Sequence, residues 1–97
     1  MKPDPSPESA VRHNVAAQRF EIEAEGHLSV VAYERAGAVM TITHTFVPPE
    51  LRGRGLAERL VRGALDHAQA EKLRVVPACS YVATFLQRHA EFQSLAD

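Results

Sequence analysis

Ninety-seven residues are enough for one domain and too few for two. A formal net charge of -1 gives nucleic acid or an anionic membrane no electrostatic reason to bind, and no run approaches the roughly 18 apolar residues of a membrane-spanning helix. The single cysteine, Cys79, rules out an internal disulfide and fits a reducing compartment. With no apolar signal-peptide core near residue 1, the expectation is a cytoplasmic protein.

Residues 1–12 hold three prolines, several charges and no periodicity, which predicts a disordered tail ahead of one domain over 13–97. Residues 15–23 alternate as a strand would, with Phe20 and Ile22 sharing a face, and Gly26 supplies the turn that follows. A second strand is expected over 28–35 and a turn at Ala36-Gly37. The longest strand is expected over 38–47. Strict alternation there puts Met40, Ile42, His44 and Phe46 on one face and Val39, Thr41, Thr43, Thr45 and Val47 on the other. Short connections make these three strands an antiparallel meander, and residue 23 closes an exposed edge strand.

From Leu56 to about Lys72 the apolar residues recur every three to four positions among strong helix formers, which predicts a helix. Residues 75–79 form a short apolar strand. Strand, helix and strand in one sheet require a right-handed crossover, so this strand should lie parallel beside the 38–47 strand. Ser80 is placed to cap a second helix running from Tyr81 to about His89. The fold class is α/β (α+β), a mixed sheet that is antiparallel at one end and parallel at the other. Ligands of such open sheets sit beyond the carboxyl ends of the parallel strands.

That position is occupied by Arg52-Gly53-Arg54-Gly55-Leu56-Ala57. The first turn of a helix offers unpaired N–H groups and the positive end of its dipole, which together hold anions. Glycine at 53 and 55 removes the Cβ atoms that would keep a phosphate from those groups. Arg52 and Arg54 add positive charge and forked donors. A Walker loop needs Lys-Ser/Thr where Leu56-Ala57 stands, and a Rossmann turn needs a small residue where Glu58 stands.

The pattern that does fit is Arg52-x-x-Gly55-x-Ala57. It resembles the pyrophosphate loop of the GNAT acyltransferase superfamily. The runs His44-Thr45-Phe46-Val47-Pro48-Pro49-Glu50-Leu51, Val76-Pro77-Ala78-Cys79-Ser80-Tyr81-Val82 and Arg88-His89-Ala90-Glu91-Phe92 resemble more closely a branch of small, single-domain members, sometimes called YjdJ-type N-acetyltransferases. The likeness spans about Asn14 to Phe92. It implies a GNAT-like fold and an acetyl-CoA cofactor. Its pyrophosphate would be held by the backbone amides of Arg54, Gly55, Leu56 and Ala57, and its pantetheine arm would pair with the strand end at Phe46 and Val47. The chain lacks the helical pair that larger members insert between their first two strands. It also has Phe85 and Leu86 where they carry a late tyrosine, and Ala90 where small relatives often carry proline.

Acetyl transfer needs an unprotonated nucleophile, a donor for the developing oxyanion and a proton for the leaving thiolate. Cys79 ends a strand just before a helix N-terminus, where a thiolate is stabilised, and could take the acetyl group covalently; the resemblance points to the same residue. A buried structural cysteine is the plain alternative. Tyr81 could protonate the leaving thiolate or simply pack over the helix start. His44 could act as a general base or sit as an ordinary sheet-face histidine. His89 and Glu91 fit a capping or surface role. His13, His27 and His67 read as solvated, and so do Arg59 and Arg62. No acidic or histidine pair has metal-ligand spacing, so no metal is expected.

Three functions fit these residues. The first is an acetyl-CoA-dependent N-acetyltransferase acting on a small amine or a protein acceptor. The second is an acyl-CoA-binding module with little or no turnover, and the third an anion-binding interaction domain without coenzyme A.

Overall fold

The computed structural model describes residues 10–96. The tail expected over 1–12 therefore lies outside the described residues as far as residue 9. Five strands form one sheet in the order β1-β2-β3-β4-β5: β1 Arg12–Asn14, β2 Arg19–Ala24, β3 His27–Ala36, β4 Val39–Phe46 and β5 Arg74–Pro77. The first four pair antiparallel, and β5 pairs parallel with β4. Helix α1 (Leu56–Ala70) makes the crossover, and α2 (Ser80–Arg88) follows β5. Short 3₁₀ turns occupy Pro49–Leu51 and Ala90–Ala96.

The apolar stripe expected for α1 is the one it buries: Leu56, Leu60, Val61, Ala64, Leu65 and Ala68. It packs on the sheet face that carries Phe20, Ile22, Val31, Tyr33, Met40, Ile42 and Val75, and Val82, Phe85 and Leu86 of α2 complete the same core. The opposite sheet face has no helix over it among the described residues. Glu21 stands there, its side chain only 8% exposed, between Arg19 and Arg12; Asn14 Nδ2 also donates to it at 3.0 Å.

Two expectations about the meander are corrected. Residues 15–23 are not one strand. Residues 15–18 turn the chain between β1 and β2, with the Asn14 side-chain oxygen accepting from the Ala17 N–H (3.1 Å) and the Val15 carbonyl accepting from the Gln18 N–H (3.1 Å). An asparagine that bonds its own following backbone builds a turn without glycine. Arg12 therefore opens a strand, β1 is the edge, and Val11 packs against the core.

The second correction concerns β4. Ala32 pairs with His44, but Tyr33 pairs with Ile42, so Thr43 is an extra residue in β4. Such a bulge inverts the alternation beyond it. Met40 and Ile42 face the core as expected. His44 and Phe46 lie on the opposite, uncovered face, paired with Ala32 and Val30, while Thr45 turns to the core side opposite Val31.

Two of the three histidines expected to be solvated, His13 and His67, also differ. His13 stacks on Phe20 with ring centroids 4.0 Å apart, His67 meets His13 edge-on at 4.5 Å, and the Tyr33 hydroxyl lies 2.6 Å from His13 Nε2. Pairing of His13 with Phe20 in the β1–β2 ladder is what turns this imidazole inward. Arg62 is not simply solvated either: it pairs with Glu58 and Glu91 and lies over the Phe85 and Phe92 rings.

Candidate active site

The pairing of β4 with β5 ends at Ile42 and Pro77. One further bond, from the Cys79 N–H to the Ile42 carbonyl (3.0 Å), closes the join. Beyond it β4 runs on to Phe46 with β3 on one side and, among the described residues, no strand on the other. Parallel strands that separate in this way leave unpaired backbone N–H and C=O groups along the β4 edge, a template for an extended chain bearing amides.

The glycine loop stands at the mouth of this gap. Pro48 and Pro49 end the strand because proline cannot extend its ladder. Gly53 and Gly55 both take left-handed backbone conformations, at φ 86° and 76°, which side chains with a Cβ adopt only with strain. Gly55 is the cap residue of α1. The first intrahelical bond runs from the Arg59 N–H to the Gly55 carbonyl (3.1 Å), so the N–H groups of Leu56, Ala57 and Glu58 precede the ladder. A Cβ built on Gly53 or Gly55 meets nothing within 4 Å, so the space beside both is open.

The two arginines do less than their charge promises. Arg52 Nε donates to the Val47 carbonyl at 2.9 Å and ties the loop to the end of β4. Arg54 forks onto the Glu25 carboxylate, at 2.6 and 3.5 Å, which holds that carboxyl below its ordinary range through hydrogen bonding and charge. Anion binding at this loop therefore rests chiefly on backbone amides and the helix dipole.

Three hollows that share lining residues lie at the gap and beside it. One, of about 260 Å³, is bounded by Val47, Arg52, Gly53 and Gly55 on one side and Ala57, Glu58 and Tyr81 on the other. A second adds Thr45 and Phe46 to the same Val47, Arg52, Ala57 and Tyr81 walls. The third continues past Glu58 and Tyr81 to Phe85, Arg88 and His89 along α2. Tyr81, 41% exposed, borders all three. Its phenol is pushed above its ordinary value by burial and by the Glu58 charge, Arg88 opposing, so it carries its proton at neutral pH.

Cys79, not Ser80, is the cap residue of α2. The strand pairing reaches Cys79 through its N–H, so the chain turns into the helix one residue earlier than expected, and the sulfur lies at the helix start. The side chain is half-buried. Burial pushes the thiol up, but the Thr45 hydroxyl and the backbone amides of Val82, Tyr81 and Thr45 outweigh it, holding Cys79 below the ordinary thiol value.

Cys79, Tyr81, Phe46, Val47 and the loop residues 52–57 thus lie around one gap. His44 does not join them. The bulge sends it to the uncovered face, stacked parallel to Phe46 at 6.4 Å. Among the lining residues that were not expected are Thr45, Glu58 and Arg88. Only the bulge reveals Thr45, whereas Glu58 and Arg88 follow from helix phase, as first-turn and last-turn residues of helices that meet at the gap. His89 has a structural part, with Nδ1 2.8 Å from the Phe85 carbonyl and its ring on Phe85.

The model of the GCN5-related N-acetyl-transferase family matches residues 19–95. Protein NATD1 of Bos taurus is 33% identical over 82 residues, which cover 81% of this chain and 73% of that protein. Protein NATD1 of Xenopus tropicalis is 30% identical over 89 residues, covering 89% and 82%. The solution structure of a GCN5-like protein from Staphylococcus aureus superposes with a TM-score of 0.72 at 23% identity, over 91% of this chain and 87% of that one. With its mixed five-stranded sheet and its glycine loop between β4 and α1, the chain belongs to the GCN5-related N-acetyltransferase family.

Proposed function

We propose that this chain binds acetyl-CoA in the gap between β4 and β5 and transfers the acetyl group to an amine on a small molecule or a protein. One observation carries the reading: a β4 end with no second neighbouring strand among the described residues lies between a glycine-lined helix start and a half-buried cysteine with a lowered thiol pKa. The donor set suits the ligand. The backbone amides of Arg54, Gly55, Leu56 and Ala57 would hold a pyrophosphate in the open space beside Gly53 and Gly55. The β4 edge at Phe46 and Val47 offers partners for the two amides of a pantetheine arm.

Acetyl-CoA is the acyl-donor substrate and supplies an activated thioester. Cys79 attacks its carbonyl carbon as the thiolate; a new sulfur–carbon bond forms as the bond to the coenzyme sulfur breaks. Tyr81 gives its proton to that departing sulfur. An unprotonated acceptor amine then displaces Cys79, forming the amide and returning the thiolate, and the proton it sheds restores Tyr81. His44, on the far sheet face, has no part in this sequence.

A second reading, an acyl-CoA-binding module with little turnover, draws on the absence of a phenol late in α2, where Phe85 and Leu86 are buried. Release of free coenzyme A, followed chromatographically across a panel of amines, separates the two. The transferase reading expects about one equivalent of coenzyme A released by the protein alone, continued release only with amine, and loss of both in Cys79→Ala. Coenzyme binding without release in any amine selects the module.

A further inference from the structure

β4 breaks its ladder at Thr43, and the break has a chemical consequence. In an unbroken strand His44 would point to the core side and Thr45 away from it. The extra residue inverts this and brings Thr45 Oγ1 to 3.5 Å from Cys79 Sγ, across two strands that share no ladder pair at that level. Thr45 also lines the hollow bounded by Val47, Ala57 and Tyr81. A threonine is locally at home in a strand, but a hydroxyl on the core side needs a partner, and the cysteine sulfur provides it.

We propose that Thr45 is a positioning residue, its hydroxyl turned into the gap by the β4 bulge so that it donates to the Cys79 sulfur and directs that sulfur at the acyl carbon. The assignment rests on the reading of Cys79 as acyl acceptor. Hydroxyl donation favours the thiolate over the thiol, because a hydrogen bond to an ionised acceptor is the stronger one. Once the sulfur is acylated it is a weak acceptor, so the bond is strongest in the form that must attack. The other groups that act on the sulfur are the backbone amides of Thr45, Tyr81 and Val82. Arg52 and the Tyr81 phenol are the charged and titratable groups that line the hollow of Thr45, and Glu58 of α1 lines the adjoining one with them.

The test uses the full chain without coenzyme. Cys79 is its only cysteine, so the pH dependence of alkylation by iodoacetamide reports that thiol alone. Thr45→Val removes the hydroxyl at nearly constant volume and is expected to move the midpoint up by about one pH unit, a tenfold change in the ionisation constant. Thr45→Ser, which restores a donor, is expected to return it toward the wild-type value. Should Thr45→Val fail to fold by circular dichroism, Thr45→Ala carries the same expectation. A folded variant without the hydroxyl that keeps the wild-type midpoint overturns the proposal. The underlying reading is tested separately, from the mass of the denatured wild-type protein after acetyl-CoA. Acetyl-cysteine with an unmoved midpoint overturns the role of Thr45 alone; a moved midpoint with no acetyl-cysteine overturns the acyl-cysteine route and the positioning role with it.

Discussion

Gly55 shows how much one residue can decide. It caps α1 at φ 76°, and a Cβ there would meet no atom within 4 Å, so a larger side chain is opposed by backbone strain and not by packing. Gly55→Val should therefore fold, at a cost of about 1–3 kcal/mol for a β-branched residue in the left-handed region. Its side chain would project into the space proposed for pyrophosphate. Calorimetric titration should show acetyl-CoA affinity falling on the order of a hundredfold, about 2.7 kcal/mol; wild-type affinity in the folded variant would contradict the placement of the anion. Ser29 shows the opposite case. It is fully buried on β3, and its hydroxyl has no hydrogen-bond partner among the described residues. Removing an unsatisfied buried hydroxyl relieves a desolvation penalty. Ser29→Ala is thus expected to stabilise the fold by about 1 kcal/mol, read from denaturant unfolding, and a destabilised variant would show that the hydroxyl has a partner in solution.

Among the elements, legibility followed the strength of the local pattern. α1 was readable because six apolar residues keep helical phase over four turns, and β5 because a crossover from β4 allows one handedness. The loop, Cys79 and Tyr81 were readable because each stands at the junction of two such elements. The β4 bulge was not. Val39 to Val47 alternates without a glycine, and nothing in a run of threonines marks which one is extra, so the expected faces of His44, Thr45 and Phe46 came out inverted. The short β1 was hidden because its turn is built by the Asn14 side chain rather than by glycine or proline.

That hairpin carries a pH dependence. Burial and the neighbouring His67 hold the His13 imidazole below its ordinary value of 6.5, and the Tyr33 hydroxyl at its Nε2 suits the neutral ring. Tyr33 and Arg35 of β3, His67 of α1 and Glu71 just past its end line the same hollow as His13. The unfolded chain takes up a proton near pH 6.5 and the folded chain only at lower pH. Stability contributed by neutral His13 is therefore complete above pH 6.5 and lost as pH falls toward the folded value. The thermal midpoint of the wild type should drop between about pH 7 and pH 5, and that of His13→Phe should drop less. Equal slopes would remove His13 from the account. Glu21 acts in a different window. Its carboxyl is lowered, first by the Arg19 hydrogen bond, so its contribution is present above the ordinary carboxyl value of 4.5 and is lost only as pH falls below it.

For the molecule as a whole, the order of the elements matters more than any one of them. A meander, a long strand, a glycine turn, a helix and a short parallel strand leave one gap in an otherwise continuous sheet. The chain places its free amides, its one thiol and a protonated phenol around that gap. No helix among the described residues is long and apolar enough to cross a membrane. Among the described residues one sheet face has no helix over it, which leaves the strand ends open to the proposed acceptor. By the function proposed above, this gap holds acetyl-CoA and passes its acetyl group through Cys79. The most direct test is the mass of the protein after incubation with acetyl-CoA, recorded native and then denatured. The account predicts a native coenzyme complex and, after denaturation, one acetyl group on Cys79 that an added amine removes. A native complex with no covalent acetyl, or no complex at all, would contradict it.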